Sequence, residues 1–264
     1  MLDGKPVDIA VTTERLGDTI RIFKLPDLEP IDGGPIPVFE GEAVKAPMGV
    51  ALYKRPRDGA IFAIVGRKSG PREGYLWQYR IVDGGNGKAA LEKVRAFGAW
   101  SGTTEIEAIA VDDALGYVYY ADEGTGILKY RADPDAPNAD RQLAVFGRSL
   151  FTQDREGISI YEVEGGTGYI LVSDQQANLF QVFPREGTKG KPHDHPLLKA
   201  VKVSTIESDG SDVTSRALGP KFPNGLFVAM SNGGTFHYYA WPQIAGRDLL
   251  IAPDGHRTAK DARR

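Results

Sequence analysis

Cysteine is absent from the 264 residues. That removes disulfides, thiolate nucleophiles and thiolate metal sites together, and leaves oxygen and imidazole as the available metal donors. Imidazole is scarce, with only His193, His195, His237 and His256 present. No apolar run approaches the roughly 18 residues of a membrane span. The opening residues Met1-Leu2-Asp3-Gly4-Lys5-Pro6 carry no apolar stretch of the kind a secretory leader needs. Charge of one sign is also missing: 32 Lys and Arg stand against 35 Asp and Glu, a formal net charge of -3. Such a balance gives no strong field toward nucleic acid or an anionic membrane, so neither is expected as a partner, and any bound anion must be held by a local site. No stretch of about ten residues or more shows helical periodicity, which excludes an α/β fold on pattern.

What is present is a repeat. Five segments read as strand, polar loop, strand at a spacing of roughly 50 to 57 residues, in the range of propeller blades. They run from Val7–Val11 to Thr19–Phe23, Ala60–Val65 to Tyr75–Tyr79, Gly116–Tyr120 to Gly126–Tyr130, Gly168–Val172 to Asn178–Val182, and Gly225–Ala229 to Thr235–Trp241. Each is rich in β-branched and aromatic residues and is bounded by turn formers. Four of the pairs follow a further apolar strand, at Met48–Tyr53, Glu107–Val111, Glu156–Tyr161 and a shorter one near Asp212-Val213. The first pair has none. The fold class expected is all-β, a β-propeller with about five blades represented, the first lacking its inner strand.

Superposing the repeats puts Met48, Glu107, Glu156 and Asp212 at the start of successive inner strands, at one end of the central channel. The loop after each antiparallel second strand then supplies Arg15, Arg67 with Lys68, Glu123, Gln175 and Asn232 near the same end. Carboxylates converging on one axis repel each other, and a hard divalent cation relieves this. Calcium takes six to eight oxygen ligands in flexible geometry, which suits Glu107, Glu123, Asp154, Glu156, Asp209, Asp212 and the amide oxygens of Gln175 and Asn232. Cations at the rim, Arg15 and Lys68 with Arg67 as an alternative to Lys68, suit a polyanionic ligand. A water shared between calcium ions could then attack phosphorus without a protein nucleophile.

Other polar motifs read as structural. Asp112-Asp113 and Asp133-Pro134-Asp135 are turn formers or structural calcium ligands, His193 and His195 belong to a surface loop, and Tyr117, Tyr119, Tyr120, Trp77 and Trp241 pack between blades.

The runs Asp3-Gly4-Lys5-Pro6-Val7-Asp8-Ile9-Ala10, Glu107-Ala108-Ile109-Ala110-Val111-Asp112-Asp113, Asp154-Arg155-Glu156-Gly157-Ile158-Ser159-Ile160-Tyr161 and Leu218–Ala229 resemble the β-propeller phytases, the alkaline or Bacillus-type family, from about Asp3 to Trp241. The resemblance implies a six-bladed propeller with structural calcium ions and, at one channel end, further calcium ions that position phytate for hydrolysis. Matching positions imply Glu107, Glu123, Asp154, Glu156, Gln175 and Asp212 as calcium ligands and Arg15 and Lys68 as phosphate binders. Glu107, Glu156 and Asp212 are the acids expected to carry catalysis. Two departures stand out. The family's tyrosine before the Gly-apolar strand, which contacts phosphate, is Met48 here, and the upstream Asp-Asp-Pro-Ala and paired-lysine segments are missing.

The sequence is therefore expected to comprise a propeller domain over 1–245 lacking its N-terminal blade and a polar tail over 246–264. It is expected to act as a monomer whose full-length form is extracellular or periplasmic. Two other readings are a non-catalytic propeller that only binds calcium and phosphate, including a truncated inactive relative, and a calcium propeller acting on a sugar lactone. The basic rim argues against the last, since a neutral lactone has no use for it.

Overall fold

A computed structural model describes residues 2–253. Its strands form five antiparallel sheets in chain order, each a blade. Blade 1 holds β1 (Ile9–Glu14), β2 (Thr19–Lys24) and β3 (Glu29–Pro30), with β4 (Ile36–Pro37) also paired to β2. Blade 2 holds β5 (Pro47–Lys54), β6 (Ile61–Arg67), β7 (Glu73–Gly85) and β8 (Lys88–Ala99). Blade 3 holds β9 (Ile109–Asp112), β10 (Tyr117–Asp122), β11 (Gly126–Arg131) and β12 (Ala144–Phe146). Blade 4 holds β13 (Ile158–Glu162), β14 (Gly168–Asp174), β15 (Leu179–Pro184) and β16 (Lys199–Lys202), and blade 5 holds β17 (Ser211–Thr214), β18 (Leu226–Ser231) and β19 (Thr235–Ala240). A short helix, α1 (Trp241–Ala245), follows.

The central strands of blades 2, 3 and 4 are buried on both faces, each between two neighbouring blades, so they read as continuous apolar runs. In β6, Ala63 and Val65 face blade 1 with Ile20, Val38 and Phe39. The alternate residues Phe62 and Ile64 face blade 3 with Val118, Tyr120 and Leu128. Between blades 3 and 4 the core is Tyr119, Ala121, Ile127 and Phe146 against Ile170, Val172 and Phe183. Tyr161, Leu171 and Val182 meet Phe227, Ala229 and Trp241 between blades 4 and 5. The expected packing role of the aromatics holds: Trp241 stacks on Tyr161 at 3.7 Å, and Tyr119 meets Phe146 edge to face.

The inner strands β5, β9, β13 and β17 follow one another around the channel, and β1 lies beside β5. Thr13, near the end of β1, donates a hydrogen bond of 2.6 Å to the carbonyl of Met48, near the start of β5. β1 thus runs opposite to the inner strands and occupies a second-strand position, and among the described residues blade 1 has no inner strand, as the repeat spacing predicts.

Two expectations are corrected. The stretch after residue 245 is not wholly a polar tail, because Leu249 and Ala252 are buried and the Ala252 amide donates to the Tyr161 hydroxyl at 3.0 Å; residues 254–264 lie outside the described residues. His195 is not on a surface loop. It is 4% exposed, with Nδ1 2.7 Å from the Pro184 carbonyl and Nε2 3.1 Å from Lys129 Nζ. Burial, joined by the lysine charge, lowers its pKa to about 4.

Candidate functional site

The starts of the inner strands and the ends of the second strands meet at one end of the channel. A cavity of ≈ 450 Å³ there is lined by Thr13, Arg15, Met48, Glu107, Gly157 and Asp209, among others, and so draws on all five blades. Glycine permits the close approach. A Cβ on Gly49 would lie 1.8 Å from the Glu107 carbonyl oxygen, and one on Gly157, whose φ is +39°, would lie 2.9 Å from the Ser211 amide nitrogen. These two positions let neighbouring inner strands touch backbone to backbone.

Glu107 also faces a second, adjoining cleft of ≈ 650 Å³, shared with Lys68, Glu105, Glu123, Asp154 and Glu156. The turns that carry these acids are held from below by the aspartates that end the second strands. Asp122 accepts from the Ser101 amide at 2.6 Å, the Ser101 hydroxyl at 2.8 Å and the Gly124 amide at 2.9 Å, fixing the Glu123 turn. Asp174 accepts from the Thr152 amide at 3.0 Å and fixes the segment leading to Asp154. Arg155 is buried; it donates to the carbonyls of Glu123 and of Arg148, the latter at 3.1 Å.

Electrostatically the cleft is crowded with negative charge. Burial, reinforced by Glu107, Glu123, Asp209 and Asp154, pushes the Glu156 carboxyl up to about 9. Burial, with a hydrogen bond that the Glu107 carboxyl donates to Glu105 and with the Glu105 charge, pushes Glu107 up to about 7. Glu123 is also raised, first by burial. Burial works upward on Glu105 too, but its bonds to Lys68 and Glu107 outweigh it and its carboxyl falls below the usual range. Lys68 Nζ lies 2.8 Å from Glu105. At neutral pH the metal-free cleft therefore keeps protons on some carboxyls, as like charges without a counter-cation require.

Among the residues anticipated from sequence, Glu107, Glu123, Asp154, Glu156 and Lys68 come together on this cleft, and Arg15 and Asp209 stand at the adjoining cavity. Gln175 reaches the same side by donating to the Asp209 carboxylate. It also accepts from Gln176 at 2.8 Å, and Gln176 donates to Asp154 at 2.6 Å.

Three anticipated residues fall elsewhere. Arg67 is fully buried, not at the rim; its guanidinium lies between blades 1 and 2, paired with Glu42 at 2.9 Å and 4.7 Å from the Phe39 ring centroid. It closes β6, and strand alternation turns its side chain into the blade interface while Lys68, one residue on, faces the cleft. Asp212 is exposed and accepts from the Val213 amide at 2.8 Å; it is Ser211 that faces the cavity. Asn232 is exposed and donates to Glu207 at 2.7 Å.

The sequence reading passed over Glu105, Asp122, Arg155 and Asp174. The signal for Glu105 was its spacing, since Glu105 and Glu107 are two apart in an extended segment and so share a face. Asp122 and Asp174 recur at the ends of equivalent strands. Asp112 and Asp113 prove structural: Asp112 pairs with buried Arg185 at 2.6 and 2.7 Å, and Asp113 accepts from the Lys54 amide at 2.9 Å.

A calcium ion is the group the resemblance implies. Surplus carboxylate at partial protonation, with oxygen donors from blades 3 and 4 on one cleft, fits a hard cation. Among the described residues no three acidic or imidazole groups are already drawn into one cluster, so coordination there needs side-chain rotation.

The fold and this site define a class, the β-propeller proteins whose charged cleft opens at one channel mouth. Within that class, the model of the phytase family matches residues 1–237, and the chain belongs to the phytase family, a family of hydrolases. It is 32% identical over 272 residues to the 3-phytase of Bacillus subtilis strain 168, an alignment covering 97% of this chain and 69% of that protein. A crystal structure from Bacteroides uniformis, provisionally assigned as a 6-phosphogluconolactonase, shares 13% identity and a TM-score of 0.56 over 94% of this chain and 67% of that one. This second likeness concerns the fold alone. The chain spans about two thirds of the length of both.

Proposed function

We propose that the cleft hydrolyses phosphomonoesters of phytate with calcium as its cofactor. Glu107, Glu123, Asp154 and Glu156, with Asp209 and Gln175 alongside, would hold the cation, and Lys68 and Arg15 would bind substrate phosphates. When bound, calcium supplies positive charge for the phosphate oxygens and lowers the pKa of water. The residues of the chain do the rest. Lys68 and Arg15 orient the polyanion from the rim by charge-assisted hydrogen bonds, Arg155 and Asp122 hold the Glu123 turn, and Glu107 and Glu156 give up their protons as the cation enters.

The observation that carries this reading is the presence of Glu107, Glu123, Asp154, Glu156 and Lys68 on a single cleft. An extracellular or periplasmic setting and a monomeric state belong to the same proposal, taken from the family resemblance. Among the described residues no helix is long and apolar enough to cross a membrane. The test is phosphate release from phytate: activity with added calcium, its loss with a chelator and its return on re-addition support the reading. A folded protein inert in excess calcium overturns it. Met48, buried in the cavity wall where the family places a tyrosine, favours a second reading in which the protein binds calcium and phytate without turnover. Calorimetric binding of phytate in calcium with no phosphate released is the result expected from it.

A further inference from the structure

We propose that Glu105 tunes the phosphate affinity of the cleft, as an internal anion that occupies Lys68 when no phosphate is bound and weakens the grip of that lysine on phosphate. The inference rests on Lys68 acting as a phosphate binder.

The carboxylate of Glu105 lies 2.8 Å from Lys68 Nζ, with the two side chains 32% and 49% exposed. The two partners differ in freedom, since the Glu105 carboxylate also accepts a hydrogen bond from Glu107. Glu105 is tied to the Glu123 turn on both sides of its peptide: its carbonyl accepts from the Glu123 amide at 3.4 Å, and its amide donates to the Glu123 carboxylate at 3.3 Å. The backbone of Lys68 is held by a bond from its amide to the Ala46 carbonyl at 3.0 Å, while its half-exposed side chain has four carbons of reach. A phosphate group entering the cleft must draw the ammonium away from Glu105 and then sit beside that carboxylate. Both effects oppose binding. Because the ion pair is partly solvated, the opposition is moderate, and removing the charge should strengthen phosphate binding by about threefold.

The experiment is calorimetric binding of inorganic phosphate in calcium-free buffer to the wild-type protein, to Glu105→Gln, to Lys68→Met and to the double variant. The expected result is a threefold gain in affinity for Glu105→Gln that shrinks when Lys68 is also replaced. Glu105→Ser serves the same comparison if the glutamine variant fails to fold. Equal or weaker binding by both neutral variants overturns the proposal, as does a wild-type protein and variants that all bind no phosphate. The comparison needs no turnover, so a wild type that releases nothing from phytate defeats the functional reading and leaves this one to be decided by binding. Where turnover is present, Glu105→Gln should lower KM for phytate by a similar factor with kcat unchanged; a fall in kcat alone speaks for a merely structural role and overturns it.

Discussion

Arg155 donates through one guanidinium nitrogen to the backbone carbonyl of Glu123, across the boundary between blades 4 and 3, and through the other to the carbonyl of Arg148 at 3.1 Å. The bond ties the turn bearing one cleft acid to the strand entry bearing two others, Asp154 and Glu156. It also sets a fixed positive charge behind a wall of carboxylates. Arg155→Met should leave two carbonyls unsatisfied and lower unfolding stability by about 2 kcal/mol, read by urea denaturation. Wild-type stability in this variant would remove Arg155 from the architecture of the site.

Arg67 and Lys68 are adjacent in sequence and opposite in role. Losing the Arg67 guanidinium removes its packing on Phe39, Tyr75 and Trp77 and its pair with part-exposed Glu42, so Arg67→Met should cost about 2 kcal/mol of stability. Its KM for phytate should stay near wild type. Lys68→Ala should raise KM severalfold with little change in the urea midpoint. The reverse assignment of effects would place the phosphate contact on Arg67.

The raised carboxyls make a pH prediction whose sign can be worked out. Glu156 at about 9 and Glu107 at about 7 hold protons in the folded chain that the unfolded chain, near the ordinary carboxyl value, releases. Where the folded state binds more protons, stability falls as pH rises. The metal-free protein should therefore lose Tm from pH 7 to pH 9, above the range in which buried His195, lowered to about 4, adds an opposite slope, while saturating calcium should flatten or reverse the trend. Thermal melts at pH 7 and 9, with calcium and with chelator, check this; a metal-free Tm that rises between them contradicts it.

Met48 removes a hydroxyl from the cavity wall where the family carries a tyrosine. If a phosphate bond is lost with it, Met48→Tyr should raise kcat/KM on phytate by about tenfold, the worth of one hydrogen bond to a charged group. Steady-state phosphate release measures it, and unchanged kinetics would assign the position to packing.

The propeller was legible because its signal is collective: five repeats of paired apolar strands leave a period that no single strand carries. The cleft acids were legible for the same reason, since Glu107 and Glu156 sit 49 residues apart at equivalent strand starts. Where the reading failed, the cause was a one-residue choice of face. Arg67 against Lys68 and Ser211 against Asp212 are neighbours at strand ends, where a shift of one reverses which side chain meets the cleft. His195 was misplaced because a proline-flanked, polar-looking loop gives no hint that its ring fills the space beside Lys129 and Phe146. Arg155 escaped notice because its role lies in two backbone carbonyls brought near only by the packing of blades.

The account depends on the acids of blades 3 and 4 acting together on a hard cation. Calcium titration calorimetry on the wild type and on the Glu107→Gln, Glu156→Gln double variant tests this most directly. The prediction is saturable calcium binding by the wild type and a loss of affinity of about tenfold or more in the variant. A wild type that binds no calcium, or a variant that binds it equally well, would contradict it.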